Sequence, residues 1–400
     1  MLDTGADLGH PDLKLTPGIN CLNNPCNGDP SDGYGHGTHV AGIAAAVTNN
    51  GAADPDIDTA GVAFANVISV MPVKVCSDTG SCPTDAIVNG IYYAADHGAR
   101  VINMSLGGTT ISQAEINAII YANGKKVLLV ASAGNSGTSQ KSYPAAAEEQ
   151  EPAAKIMAIA ATNWHDQKAG YSNYGADWVD LAAPGGDMGR YHDPGGIYSA
   201  MPTNPVYLTE CVTTGPNWAR RPCYSTGYDQ LQGTSMASPQ VAGAAALLFA
   251  LGYSDNAAVR TQLQSTADAI SGTGSQWANG RLNVCKAVGA ACDTAPPPTP
   301  TATATPAPTP TPTATPSSGF NLAATGYKVK GLQKVDLAWS DDSSASIDVY
   351  VYRNGALIAT TSNTNAYTDN IDKRGGGTYT YKVCKEADTS VCSNQSSITF

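Results

Sequence analysis

The feature that most limits how this chain can fold is a rhythm in its first three quarters. Short, almost uninterrupted apolar runs take turns with longer segments whose apolar residues recur at helical spacing. Residues 67–75, 100–106, 126–133, 156–162 and 179–183 are the runs, and unbroken hydrophobicity over so few residues marks parallel strands buried on both faces. Residues 36–47, 84–97, 112–123 and 235–251 carry the helical pattern. Strand and helix in alternation imply βαβ units, hence an α/β fold whose mostly parallel sheet is covered by helices. In such sheets ligands collect at the carboxyl ends of the strands, so chemistry is expected at that edge.

The rhythm stops at residue 294. Residues 295–318 hold nine Pro, eight Thr, five Ala and two Ser, a composition with nothing to bury and no reason to fold. As polyproline II at about 3.1 Å per residue, this linker could hold two domains up to ~75 Å apart. Residues 319–400 read differently: 335–339, 347–353, 357–361 and 378–384 alternate like strands, with Asn354-Gly355 as a hairpin turn. The expected organisation is a large α/β domain over 1–294, the linker, and a small all-β sandwich over 319–400.

Charge and cysteine narrow the setting. Asp plus Glu outnumber Lys plus Arg by 33 to 22, a net charge of −11, so phosphate backbones and anionic membranes would repel the chain. Nucleic acid is not an expected partner. The ten cysteines fall into close neighbours, Cys21/Cys26, Cys76/Cys82, Cys211/Cys223, Cys285/Cys292 and Cys384/Cys392, which suits disulfides in an oxidising compartment better than a zinc site or a redox dithiol. A secreted protein is expected. The longest apolar run, 241–251, is shorter than the ~20 residues a membrane span needs. No secretory leader precedes Asp3, so the start reads as truncated and the chain as a fragment with a correct site and doubtful folding.

Three segments end in polar residues that a packed core would not request. Leu2-Asp3-Thr4-Gly5 puts an acid at a strand end, Gly35-His36-Gly37-Thr38-His39-Val40-Ala41-Gly42 puts a histidine at a helix mouth, and Gly233-Thr234-Ser235-Met236-Ala237-Ser238-Pro239 opens the most apolar helix with a serine. Acid, imidazole and alcohol in that order can form a triad: serine attacks, histidine carries its proton, aspartate fixes the tautomer and stabilises the imidazolium. A lone histidine or a Gly-Thr-Ser turn would be unremarkable structure; together they are specific.

With His10-Pro11-Asp12-Leu13 added, these motifs resemble the subtilisin-like (subtilase) serine peptidases over about residues 1–290. The resemblance implies a secreted endopeptidase in which Asp3 orients and stabilises, His36 is general base and acid, and Ser235 is the nucleophile. It assigns Asn135, which follows the strand-like run ending at Ala133, to the oxyanion together with the serine N–H. It places an extended substrate between Ser105-Leu106-Gly107 and Gly80-Ser81-Cys82, with Ser132-Ala133-Gly134 and Ser142-Tyr143-Pro144 lining the pocket for the residue before the scissile bond. Glu148, Glu149 and Glu151 beyond that pocket are expected in a solvated acidic loop rather than on a basic substrate side chain. Asp12 with Asn49 and Asn50 resembles part of a structural calcium site, and Asp54, Asp56 and Asp58 follow; no cofactor is expected for catalysis. His39 is expected to pack rather than bind metal, because no third ligand follows at zinc spacing.

The chain departs from the family pattern at Gln240, where a histidine is usual, and in a long connection over 184–233 that is expected to shape the leaving-group side of the cleft. Residues 319–400 resemble fibronectin type III domains, with Trp339 in an early strand and Tyr379 placed like a tyrosine-corner residue; that unit's ligand is unknown. Two other readings stand beside the main one. Asp3-Thr4-Gly5 and Asp78-Thr79-Gly80 look like two aspartic-peptidase signatures, which would have to bring both carboxylates into one site. A catalytically impaired chain acting as a binding or adhesion module is the other.

Overall fold

The computed structural model describes residues 1–48, 59–64, 68–189, 192–210, 223–290, 321–329, 332–340, 348–353, 356–362, 365–371, 377–385 and 388–400. The chain divides into two compact units, Met1–Pro296 and Pro297–Phe400. The linker and Asn354-Gly355 lie outside the described residues.

In the first unit the strands are β1 (Leu2–Asp3), β2 (Ile19–Asn20), β3 (Val73–Lys74), β4 (Val101–Met104), β5 (Leu128–Ser132), β6 (Met157–Thr162) and β7 (Leu181–Pro184). They form one parallel sheet in the order β2-β3-β1-β4-β5-β6-β7. The helices are α1 (His36–Ala45), α2 (Thr84–Asp96), α3 (Gln113–Gly124), α4 (Thr234–Ala250), α5 (Asn256–Ser265) and α6 (Val284–Ala287). Alternate residues of one strand serve two cores. Leu129 and Ala131 of β5 pack with Ile87 and Ile91 of α2 and Ile116 and Ile119 of α3, whereas Leu128 and Val130 pack with Val241 and Leu248 of α4 and Leu263 of α5. Both faces are therefore apolar, which is why these strands read as unbroken runs.

Boundaries follow local chemistry. Ser112 caps α3: its Oγ accepts from the Glu115 N–H while the Glu115 carboxylate accepts from the Ser112 N–H, a reciprocal arrangement worth about 1 kcal/mol. The run expected over 67–75 shrinks to Val73–Lys74 because Pro72 has no N–H for a ladder. The connection over 184–233 contains an antiparallel strand pair that its sequence did not announce, β8 (Ile197–Ala200) against β9 (Tyr228–Leu231).

The second unit has two antiparallel sheets. One contains β10 (Asn321–Val329), β11 (Leu332–Ser340) and β14 (Ala366–Asn370); the other contains β12 (Asp348–Arg353), β13 (Ala356–Ser362), β15 (Thr378–Lys385), β16 (Asp388–Cys392) and β17 (Ser396–Thr399). Their inner side chains share one core, in which Leu337 and Trp339 meet Val349, Val351, Tyr381 and Val383. The tyrosine-corner expectation is not met in its usual form. The Tyr379 hydroxyl donates to the Gln333 side chain instead of the backbone of its own corner.

Disulfides join Cys21–Cys26, Cys76–Cys82 and Cys384–Cys392. Cys223 and Cys285 are also disulfide-bonded, and their expected partners, Cys211 and Cys292, lie outside the described residues. Among the described residues, no helix is long and apolar enough to cross a membrane.

Candidate active site

Asp3 ends β1 at the carboxyl edge of the sheet and is 2% exposed. Its Oδ1 accepts from the Thr4 N–H at 2.8 Å and contacts His36 Nδ1 at 2.7 Å. His36 is the first residue of α1. What lets the two approach is an absence of side chains: a Cβ on Gly37 would stand 2.1 Å from the Gly5 carbonyl oxygen, so the β1 loop and the helix meet backbone to backbone. With Nδ1 engaged by the carboxylate, the neutral imidazole carries its proton there and leaves Nε2 as the basic nitrogen. Burial works to lower the His36 pKa, but the charge of Asp3, its hydrogen bond and the charge of Asp32 outweigh it and raise the value above 6.5.

Ser235 stands at the second position of α4, whose N-cap is Gly233. Its N–H belongs to the first turn and has no intrahelical acceptor. Its carbonyl would ordinarily accept from residue 239, but that residue is proline. The Ser105 hydroxyl fills the gap, donating to the Ser235 carbonyl at 2.8 Å and contacting Ser238 Oγ at 2.9 Å. Met236, next in the chain, packs with Val40 and Ile43 of α1, so the start of α4 lies against the helix that begins at His36. The Ser235 hydroxyl itself donates to the Ser105 carbonyl at 3.3 Å.

Asn135 follows β5 in an exposed turn. Its Oδ1 accepts from the Thr234 N–H and the Thr234 hydroxyl, both at 2.9 Å, and the same hydroxyl accepts from the Gly134 N–H at 3.1 Å. Both bonds fall on the oxygen, so the amide NH2 is left as a donor beside the start of α4. Gly134 has φ +100°, and a Cβ there would meet Asn173 Nδ2 at 2.7 Å. Asn173 fixes the turn from the other side, its Oδ1 accepting from the Ser136 N–H at 2.9 Å.

Ser132, Ala133 and Gly134 run from β5 toward Asn135, the first two buried. Gly107 faces Ser142: its Cβ would stand 2.7 Å from Ser142 Oγ. Gly108 exchanges two backbone hydrogen bonds with Tyr143, at 2.8 and 2.9 Å. Leu106 is half-buried. Gly80 and Ser81 lie in a turn closed by Cys76–Cys82, where the Tyr34 ring rests on Gly80. Tyr34 also stacks on Tyr207, with centroids 5.1 Å apart. Tyr207 belongs to the long connection, which pairs with the segment before His36 through Tyr207 N–H to the Gly33 carbonyl and Leu208 N–H to that of Tyr34.

Other residues singled out in the sequence have partners of their own. Glu148 is not a solvated loop residue: it pairs with Arg260 and with Lys155 and accepts from the Ile156 N–H, and Glu149 pairs with Lys141. Asp78 pairs with buried Lys74 while Asp3 pairs with His36, so the two carboxylates of an aspartic-peptidase site do not share a proton. His39 is buried, with Nε2 3.1 Å from the Asp229 carbonyl; burial pushes its pKa down to about 3, so it stays neutral. Gln240 donates to the Pro184 carbonyl at 2.6 Å. Asp12 is fully buried, and its Oδ2 accepts from the Tyr228 hydroxyl at 2.7 Å; Asn49, Asn50, Asp54, Asp56 and Asp58 lie outside the described residues. Among the described residues, no three His, Cys, Asp or Glu side chains cluster as metal ligands.

Sequence reasoning missed Asp32, Thr234 and Asn173, which hold the key groups in place. Thr234 and Asn173 gave little signal because each bonds backbone distant in sequence, 100 and 37 positions away; Asp32 bonds nearby backbone of the helix mouth, but its link to Thr4 spans 28 positions.

Comparison with known proteins points to one family. Residues 1–291 match the family model described as the Subtilase family. Thermitase from Thermoactinomyces vulgaris is 40% identical over 291 residues, covering 72% of this chain and 87% of that protein. A thermophilic serine proteinase from Bacillus sp. (strain AK1) is 38% identical over 291 residues, 72% of this chain and 60% of that protein. A solved structure of proteases from Pseudoalteromonas arctica PAMC 21717 superimposes with TM-score 0.58 at 30% identity, covering 72% of this chain and 88% of that one.

Proposed function

This chain belongs to the subtilase family of serine peptidases, and on that premise we propose that it is an extracellular endopeptidase working through Asp3, His36 and Ser235. His36 Nε2 takes the Ser235 proton as Oγ attacks the substrate carbonyl carbon. The oxyanion so formed is held by the Asn135 NH2 and the Ser235 N–H. His36 then gives the proton to the leaving amine, and a water molecule repeats the sequence on the acyl-enzyme. For the first step the Ser235 hydroxyl turns about Cα–Cβ from the Ser105 carbonyl to the imidazole, a movement compatible with the looser hydrogen bonds of unliganded sites.

The observation that carries this reading is the 2.7 Å contact of His36 Nδ1 with Asp3. It fixes the tautomer that serine activation needs. Gly80-Ser81 and Ser105-Leu106-Gly107 are the proposed rims for an extended peptide, and Ser132-Ala133-Gly134 lines the proposed pocket. The disulfides support an extracellular setting. The second unit is proposed as a fibronectin type III-like module. Structural calcium at Asp12 and Asn50 is a separate proposal, which isothermal titration without binding at millimolar Ca²⁺ would remove; no catalytic step depends on it. Casein and peptide hydrolysis by the chain and its Ser235→Ala variant tests the main reading. Cleavage is expected from the first alone, with both melting alike; an inert parent chain, or an active variant, contradicts it.

A further inference from the structure

Asp32 is 6% exposed and pairs with no Lys, Arg or His among the described residues, yet it accepts five hydrogen bonds. Its Oδ1 takes the Thr4 hydroxyl at 2.8 Å, the Tyr34 N–H at 3.1 Å and the Gly35 N–H at 2.8 Å. Its Oδ2 takes the Thr38 N–H at 2.8 Å and the Thr38 hydroxyl at 2.6 Å. Three of these donors are backbone amides at the mouth of α1, where free N–H groups and the helix dipole favour a negative charge. Thr4 closes the arrangement from the other side, because its Oγ also accepts from the Gly37 N–H at 2.8 Å. Thr4 follows Asp3, and Gly37 follows His36.

Resting on the triad reading, we propose that Asp32 is a positioning residue. It clamps the strand end bearing Asp3 to the helix mouth bearing His36, and sets a second carboxylate behind the imidazole. The carboxylate acts in two separable ways. Through Thr4 it fixes how Asp3 and His36 meet, and misplacement of such a pair is costly in rate. Through its charge it favours the imidazolium that forms when serine attacks. The other titratable groups around His36 are Asp3 itself, the neutral His39, the Tyr34 phenol, and Lys74, whose ammonium donates to the Thr4 carbonyl at 2.6 Å.

Asp32→Asn keeps the shape, removes the charge and sets an NH2 against a donor. The His36 imidazole titration, followed by NMR in the Ser235→Ala background, should move to lower pH. With Ser235 present, kcat should fall about tenfold or more at nearly constant KM. A purely structural residue would lower the melting temperature without moving the titration. An unmoved titration overturns the proposal, and because NMR needs no turnover, this result stands apart from any failure of the triad reading. Should Asp32→Asn not fold, Thr4→Val keeps the charge and breaks the bridge: the expected result is a lower kcat at nearly constant KM, and an unchanged kcat overturns the clamp.

Discussion

Replacing Thr234 by valine keeps the shape of a fully buried side chain and removes one hydrogen-bonding atom. That oxygen donates to Asn135 Oδ1 at 2.9 Å and accepts from the Gly134 N–H at 3.1 Å. The first bond is one of two that orient the Asn135 amide, and the other, from the Thr234 N–H, survives. A neutral hydrogen bond contributes about 0.5–1.5 kcal/mol net. If the Asn135 NH2 loses that much hold on the oxyanion, kcat falls roughly two- to tenfold at about 1.4 kcal/mol per factor of ten, and KM changes little. Stability falls separately by about 1–3 kcal/mol, because the Gly134 N–H is left without an acceptor. Steady-state hydrolysis of a chromogenic peptide, paired with a thermal melt, reads both effects. Asn135→Leu sets the scale: losing the donor outright should cost on the order of 10²–10³ in kcat. A folded Thr234→Val enzyme with unchanged kcat would refute the reasoning, as would a loss equal to that of Asn135→Leu.

Other consequences can be checked alongside. The base must be neutral and its pKa is raised above 6.5, so the acid limb of kcat/KM should have its midpoint above pH 6.5; a midpoint below it contradicts the Asp3–His36 pairing. The same pairing stabilises the fold fully below pH 6.5 and loses its contribution as pH rises through the raised value. Leu129→Ala removes a fully buried side chain from the core under α2 and α3 and should cost about 2–5 kcal/mol in denaturant titration; less than 1 kcal/mol would contradict the packing described. Tyr381→Phe removes a 2.7 Å bond to Asp369 and should lower by about 1–3 kcal/mol the stability of the second unit. An unchanged transition of the second unit in calorimetry would contradict the bond's contribution.

The parallel sheet was legible because β5 is buried on both faces, α2 and α3 cover one of them, and α4 is apolar on several sides. Asp3, His36, Ser235 and Asn135 stood out as candidates because each sits in a short motif at a strand end or helix mouth. Less visible were features formed only by the folded chain. β1 and β2 are two residues each, too short for any periodicity. The antiparallel pair of β8 and β9 carries polar residues on both strands. The proline at 239 was in plain view, but that it frees the Ser235 carbonyl for Ser105 follows only when β4 is laid beside α4. Glu148 looked solvated because Arg260, its partner, is 112 positions away.

The most direct measurement is covalent labelling of the intact chain with a fluorophosphonate, followed by peptide mapping. A serine activated by a neighbouring imidazole should give a single adduct at Ser235 that His36→Ala abolishes. No adduct, or one that survives loss of the imidazole, would contradict the account.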